Sequence, residues 1–263
     1  MKTRSKVLLL IVSALALVIA TIFGTLAYLT DTETVTNTFT VGNIDIKLDE
    51  APVDKNGEVI QGERVDGNEY HLLPGHFYIK DPTVTIKPGS EESYVRMLVT
   101  VTCSAELDGI FAYHGGVHSD NKEYHEKDKL LLENIFTGYN EDKWVCVGNT
   151  ENANNTRTYE FRYIGGTKFY TVDGVAATEE AKKLEALFTG FTVPSFFTKE
   201  DLAKLAPNLD GTPKFKIDVV AHAIQADGFK PADSATPDKI AAAVDAAWAA
   251  FDGQCPAETT AAD

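Results

Sequence analysis

The sequence predicts a mainly β fold, two sheets packed face to face, with helical insertions and a C-terminal helix. Three observations lead there. Several segments alternate apolar and polar residues with the period of two that a strand imposes. Eight such segments, most with one apolar face, require a second layer to cover that face. A long apolar stripe at helical spacing stands near the C-terminal end. With 263 residues, 44% hydrophobic and 10% aromatic, the chain is large enough to bury a substantial core and too apolar to stay disordered.

The strands follow in order. Ile44, Ile46 and Leu48 alternate with Asn43, Asp45 and Lys47. The polar segment 49–68, with Gly57, Gly62 and Gly67, reads as a long loop. Val95, Met97, Val99, Val101 and Cys103 alternate with Tyr94, Arg96, Leu98, Thr100 and Thr102. Tyr159, Phe161 and Tyr163 form one face of a third strand, and Phe215, Ile217, Val219, Ala221 and Ala223 one face of a fourth. Weaker strand patterns cover 76–86, 143–148, 167–172 and 190–196.

Three helices are predicted. Thr236 caps one that begins at Pro237, and Ile240, Ala243, Val244, Ala247, Trp248 and Phe251 form its stripe before Gly253 stops it. Thr198-Lys199-Glu200-Asp201 resembles a capping box ahead of Leu202 and Leu205. Thr178-Glu179-Glu180 opens a third, with Leu184, Leu187 and Phe188 inward.

Residues 1–27 read as a signal peptide. Lys2, Arg4 and Lys6 precede an apolar run from Val7 to Tyr28, and the small residues Thr25 and Ala27 place cleavage between Ala27 and Tyr28. The run is also long enough for a retained anchor, since about 20 helical residues cross a bilayer core. Residues 28–253 form a single domain with an N-terminal arm over 28–39, and 254–263 a flexible acidic tail. Removing residues 1–27 takes away three positive charges and no acid, so the formal charge falls from −15 to −18. Such acidity repels nucleic acid and anionic membrane and excludes both as partners, membrane contact being confined to export.

In Ala14–Ala20, Gly24–Asp31, Asn37–Ile46, Leu72–His76, Lys80–Ser90 and Ala223–Phe229 the chain resembles the TasA/camelysin family, exported Gram-positive proteins of biofilm fibres with a SipW-type signal peptide. The resemblance touches both ends of the exported chain and leaves roughly 105–210 without a counterpart. It implies a jelly-roll-like β-sandwich, processing by a dedicated signal peptidase, and secretion to the extracellular matrix or cell surface.

Chemistry-bearing constellations are scarce. No His-Glu-x-x-His, Gly-x-Ser-x-Gly, P-loop or dinucleotide fingerprint occurs. Gly115 and Gly116 separate His114 from His118 and argue against a helix there, so these residues and His125 read as surface loop histidines rather than zinc ligands. No catalytic residue, cofactor or metal is predicted. Asn208–Thr212 reads as a turn, since the twelfth position from Asn208 is Val219, where a calcium loop needs an acid. Cys103 reads as core, with pairing to Cys146 left open, and Cys255 as a free thiol.

The leading functional expectation is a structural protein that self-associates into fibres by strand donation. The freed arm, Tyr28 to Phe39, is rich in Thr, Val and aromatics and lacks Pro and Gly. Leu29, Val35 and Phe39 share one face, with Val35 and Phe39 as pocket fillers. A monomeric surface binding module, with Tyr78, Tyr113, Tyr139 and Trp144 as a sugar platform, is the alternative. A camelysin-like metallopeptidase is the third reading.

Overall fold

The computed structural model describes residues 43–115, 135–164, 171–206, 214–232 and 235–254. All belong to the second of the two units into which the chain divides, Gly42–Asp263. In chain order the elements are β1 (Ile46–Asp49), β2 (Phe77–Ile79), β3 (Thr83–Ile86), β4 (Ser93–Thr102) and α1 (Ser104–Gly115). There follow β5 (Phe136–Thr137), β6 (Trp144–Asn152), β7 (Thr156–Tyr163), β8 (Lys182–Lys183) and β9 (Gly190–Thr192). Last come α2 (Lys199–Leu205), β10 (Ile217–Gln225) and α3 (Pro237–Gln254).

The fold is mainly β, in three antiparallel sheets. Their strand orders are β1-β3-β8, β10-β4-β7-β6 and β2-β9-β5. Inward residues of all three meet in one core. Val95, Met97, Val99 and Val101 supply it from β4, Tyr159 and Phe161 from β7, Val84 and Ile86 from β3, and Tyr78 and Phe191 from β2 and β9. Close approach of β2 to β9 depends on Gly190, where a Cβ would lie 2.3 Å from the Tyr78 carbonyl oxygen.

The four strong alternations form strands, with ends shifted by one to three residues. The 76–86 segment divides into β2 and β3, because Pro82 lacks an N–H and Lys80 turns inward to pair with Glu50 at 2.7 Å. The 143–148 strand extends to Asn152 as β6, and the 190–196 strand stops at Thr192, ahead of Pro194. Most of 167–172 lies outside the described residues; its last residue, Val172, bridges Ser93.

The 49–68 segment is the expected long loop, but a tied-down one. Glu50 and Val65 exchange backbone hydrogen bonds at 2.8 and 2.9 Å, and Val53 bridges Val59. Arg64 folds back onto Asp49 and Asp81, and Asn68 holds Glu50. Polarity here marks a flap tied down by charge, whose anchors Glu50 and Lys80 are buried.

Two of the three predicted helices form. The capping box of α2 is complete: the Asp201 N–H donates to Thr198 Oγ1, and the Thr198 N–H donates to Asp201 Oδ2. Helix α3 runs past Gly253 to Gln254 and buries Val244, Ala247 and Trp248. No helix forms at 178–188. Leu184, Leu187 and Phe188 are buried as expected, but the Leu184 and Leu187 N–H groups donate to the Val84 and Pro82 carbonyls beside the short strand β8. The i, i+3, i+4 spacing of these residues also suits an irregular segment laid on a sheet edge.

Helix α1 overturns the loop expectation around His114. Leu107, Ile110, Phe111 and His114 form its buried stripe, and Gly115 ends it. Its N-terminal cap is borrowed: Asn155, in the β6–β7 turn, accepts from the Ala105 N–H at 2.8 Å.

Candidate functional site

The four-stranded sheet ends on two edges of different character. Strand β10 pairs with β4 in an unbroken register from Ile217↔Val101 to Gln225↔Ser93. The Thr102 N–H donates to the Lys216 carbonyl at 3.1 Å, and the Ala226 N–H donates to the Glu92 carbonyl at 2.9 Å. Pairing alternates along an antiparallel ladder, so even-numbered residues of β10 turn their backbone groups to β4. The backbone groups of Ile217, Val219, Ala221, Ala223 and Gln225 point the other way, and among the described residues nothing pairs with them.

Strand β10 also comes close to β1 without pairing to it. The Lys87 N–H donates to the Asp45 carbonyl at 2.8 Å, which turns odd-numbered residues of β1 to β3. Ile46 and Leu48 therefore present unpaired backbone groups on the side of β1 away from β3. All six residues Ile46, Leu48, Ile217, Val219, Ala221 and Ala223 pack against the core yet stay half-buried. Two open strand edges with incompletely covered apolar side chains thus lie close together. This slot offers an added strand the free edge of β10 or of β1, but not both at once where the two strands approach each other.

The outer face of the same strands carries helix α3. Arg96, 3% exposed, stacks over Trp248 at 4.4 Å and Phe251 at 5.3 Å. Its guanidinium holds both Asp252 carboxylate oxygens, one at 3.2 Å. Arg162 reaches Asp245 at 2.6 Å. Tyr94, Ala226, Val244, Ala247 and Trp248 form a second, smaller core. Arg96 holds the Asp252 carboxyl below its ordinary range against the opposing effect of burial.

The expected site residues fall in different places. Ala27, Tyr28, Leu29, Val35 and Phe39 lie outside the described residues, as do His118, His125, Cys255 and the 208–212 turn. His114 is buried, with Nε2 2.8 Å from Asp201 Oδ2. Burial alone would raise the Asp201 carboxyl. Hydrogen bonds from His114, Thr198 and Lys204 outweigh it and hold the carboxyl well below the usual carboxylate range. Tyr78 and Trp144 are core residues, and Tyr139 donates its hydroxyl to the Trp144 carbonyl at 2.7 Å. Tyr113 is 70% exposed, so the four aromatics do not share one platform. Cys103 is buried, and neither it nor Cys146 is in a disulfide. No group of three metal-ligating side chains exists among the described residues.

The slot itself escaped the sequence reading. Alternation identifies strands but not which neighbour each lacks. Its one trace in the sequence is the run of small residues Ala221 and Ala223 in β10, too small to cover the core alone. Comparison with protein-family models, curated proteins and solved structures gives no match.

Proposed function

We propose that the protein is a secreted structural subunit that assembles into extracellular fibres, each subunit donating its 28–39 arm to the β1/β10 slot of a neighbour. The observation that carries this reading is the unpaired edge of β10 over half-buried apolar residues, with a second unpaired edge on β1 nearby. Strand β10 has nine residues, an edge of roughly 30 Å. A twelve-residue arm rich in β-branched and aromatic residues is long enough to span it. Val35 and Phe39 suit the space over Ala221 and Ala223, and the threonines of the opposite face suit solvent. The resemblance to fibre-forming exported proteins and its jelly-roll-like sandwich favour the same reading. The small residues before Tyr28 favour release of the arm by a signal peptidase.

Deletion of residues 28–36 tests it. The truncated exported protein is expected to stay folded and monomeric by size-exclusion chromatography and to form no fibres by negative-stain microscopy. Fibres formed equally well without the arm would defeat strand donation. An intact exported protein that stays monomeric at every salt and pH would defeat the structural role.

A further inference from the structure

His222 occupies an unusual position for a titratable group. It lies on β10, on the face covered by α3, and its ring sits 4.8 Å from the Phe251 ring at an interplanar angle of 31°. The Arg96 Nε–H donates to His222 Nδ1 at 3.2 Å. That bond requires Nδ1 to carry a lone pair, so the arrangement exists only with that nitrogen unprotonated. Arg96 is at once the donor in this bond, the partner of Asp252 and the cation stacked on Trp248 and Phe251. One guanidinium therefore links the protonation of His222 to the last turns of α3.

We propose that His222 is a proton-operated latch for helix α3: with Nδ1 unprotonated it holds Arg96 in place against the helix, and with Nδ1 protonated it displaces Arg96 and frees the helix to lift from the sheet. Protonation replaces an acceptor by a donor opposite an N–H, and it places a second positive charge beside the guanidinium. The surrounding charges come from three elements. Arg96 faces the ring from β4, Glu160 and Arg162 stand on β7, and Asp252 and Asp245 on α3. The carboxylates are already engaged: Asp252 and Glu160 contact Arg96, and Asp245 and Glu160 contact Arg162. An imidazolium must therefore take an acid from an arginine to be neutralised. Burial first, and then the Arg96 charge, lowers the titration of His222 below its ordinary value. The docked state thus keeps its full stability above the ordinary histidine pKa of about 6.5 and loses it as pH falls through the folded-state value. Lifting α3 uncovers Tyr94, Ile224 and Trp248, so acidification exposes an apolar surface beside the β10 edge. The inference stands apart from the fibre reading, since it concerns the outer face of β10 and not its backbone edge.

Amide hydrogen exchange of the full chain tests the latch, comparing residues 240–252 at about pH 7.5 and about pH 5 after correction for intrinsic exchange. Opening of α3 is expected to increase about tenfold for each pH unit by which the His222 titration is depressed, while β4 and β7 stay protected. His222→Gln keeps a neutral acceptor for Arg96 and is expected to hold α3 closed at both pH values. Should that variant fold poorly, the His222 ring titration followed by NMR in the unaltered chain serves instead, and its midpoint must match that of α3 opening. Equal protection of α3 at the two pH values would overturn the latch. So would an undiminished pH response in His222→Gln, or ring and helix midpoints that differ.

Discussion

Strands β10 and β6 bound the same sheet and share nothing else. The register of β6 against β7 jumps between Cys146 and Gly148, a bulge that bends the strand, and its second half is Gly148-Asn149-Thr150-Glu151-Asn152. Bulges, charge and polar side chains are the usual means by which an edge strand is kept from pairing with another chain. Strand β10 has none of these on its inner face. Its register is unbroken over nine residues and its inward side chains are Ile, Val and Ala. One edge is built against association and the other left competent for it. An unguarded edge is either a hazard or a docking site, and the guarded edge opposite argues that the difference is deliberate.

The strongest way to break this comparison is proline scanning along β10. Ala221→Pro removes an N–H that faces the slot and leaves the β4 ladder intact, so fibre formation is expected to fall to background while the denaturation midpoint hardly moves. Val220→Pro removes an N–H that faces β4 and is expected to cost about 3 kcal/mol of stability. Chemical denaturation and negative-stain microscopy of the two variants separate the cases. Equal destabilisation by both would mean that the outward edge of β10 is not free.

Trp248→Ala comes next in size. Helix α3 covers the outer face at the β10 end of the sheet, packing on Tyr94, Ile224 and Ala226. Trp248 is 2% exposed at the centre of the smaller core. Its truncation is expected to cost about 3–5 kcal/mol, read as a lowered denaturant midpoint. A loss below about 1 kcal/mol would show that α3 is an appendage and that the two halves of the sheet do not differ in support.

The legibility of the molecule follows the same contrast. Strands with one solvent face announce themselves by alternation, and β4, β7 and β10 were readable for that reason. The second face of β4 was not, because Tyr94 and Arg96 look polar-compatible in sequence and are buried with the help of α3, some 140 residues later. Helix α2 carries its own cap, Thr198, whereas α1 takes its cap from Asn155 and was missed despite the Leu107, Ile110, Phe111, His114 stripe. The slot is a property of strand order, which no local pattern encodes.

Gly148→Ala sharpens the β6 side. Gly148 has φ of 155°, close to the limit of what other residues adopt, within the bulge. The substitution is expected to cost about 1–3 kcal/mol, or to move the bulge and flatten the edge. In the second outcome the variant gains a concentration-dependent self-association that the unaltered protein lacks at β6. A variant that keeps full stability and its oligomeric state would show that the bulge needs no glycine.

The smallest expected effect concerns the residue that joins the two edges. Glu106, on α1, accepts from Asn155 Nδ2 at 2.6 Å and from Lys214 Nζ at 3.0 Å. Asn155 closes the β6–β7 hairpin, and Lys214 lies three residues before β10. One carboxylate thus ties the turn behind the guarded edge to the entry of the open one. The Asn155 hydrogen bond, then the Lys214 contact, hold the Glu106 carboxyl below its ordinary value. Its contribution is therefore complete above about pH 4.3 and is lost as pH falls through the lower folded-state value. Because a quarter of its side chain (26%) is exposed, screening limits the effect. Glu106→Gln is expected to cost about 1 kcal/mol at neutral pH. In the variant the acid-dependent loss between the two titration points should shrink by the same amount. Assembly through β10 is expected to survive, since the open positions from Ile217 to Gln225 do not depend on Glu106. If Glu106→Gln abolished fibres without unfolding the protein, the entry of β10, and not its edge, would govern association.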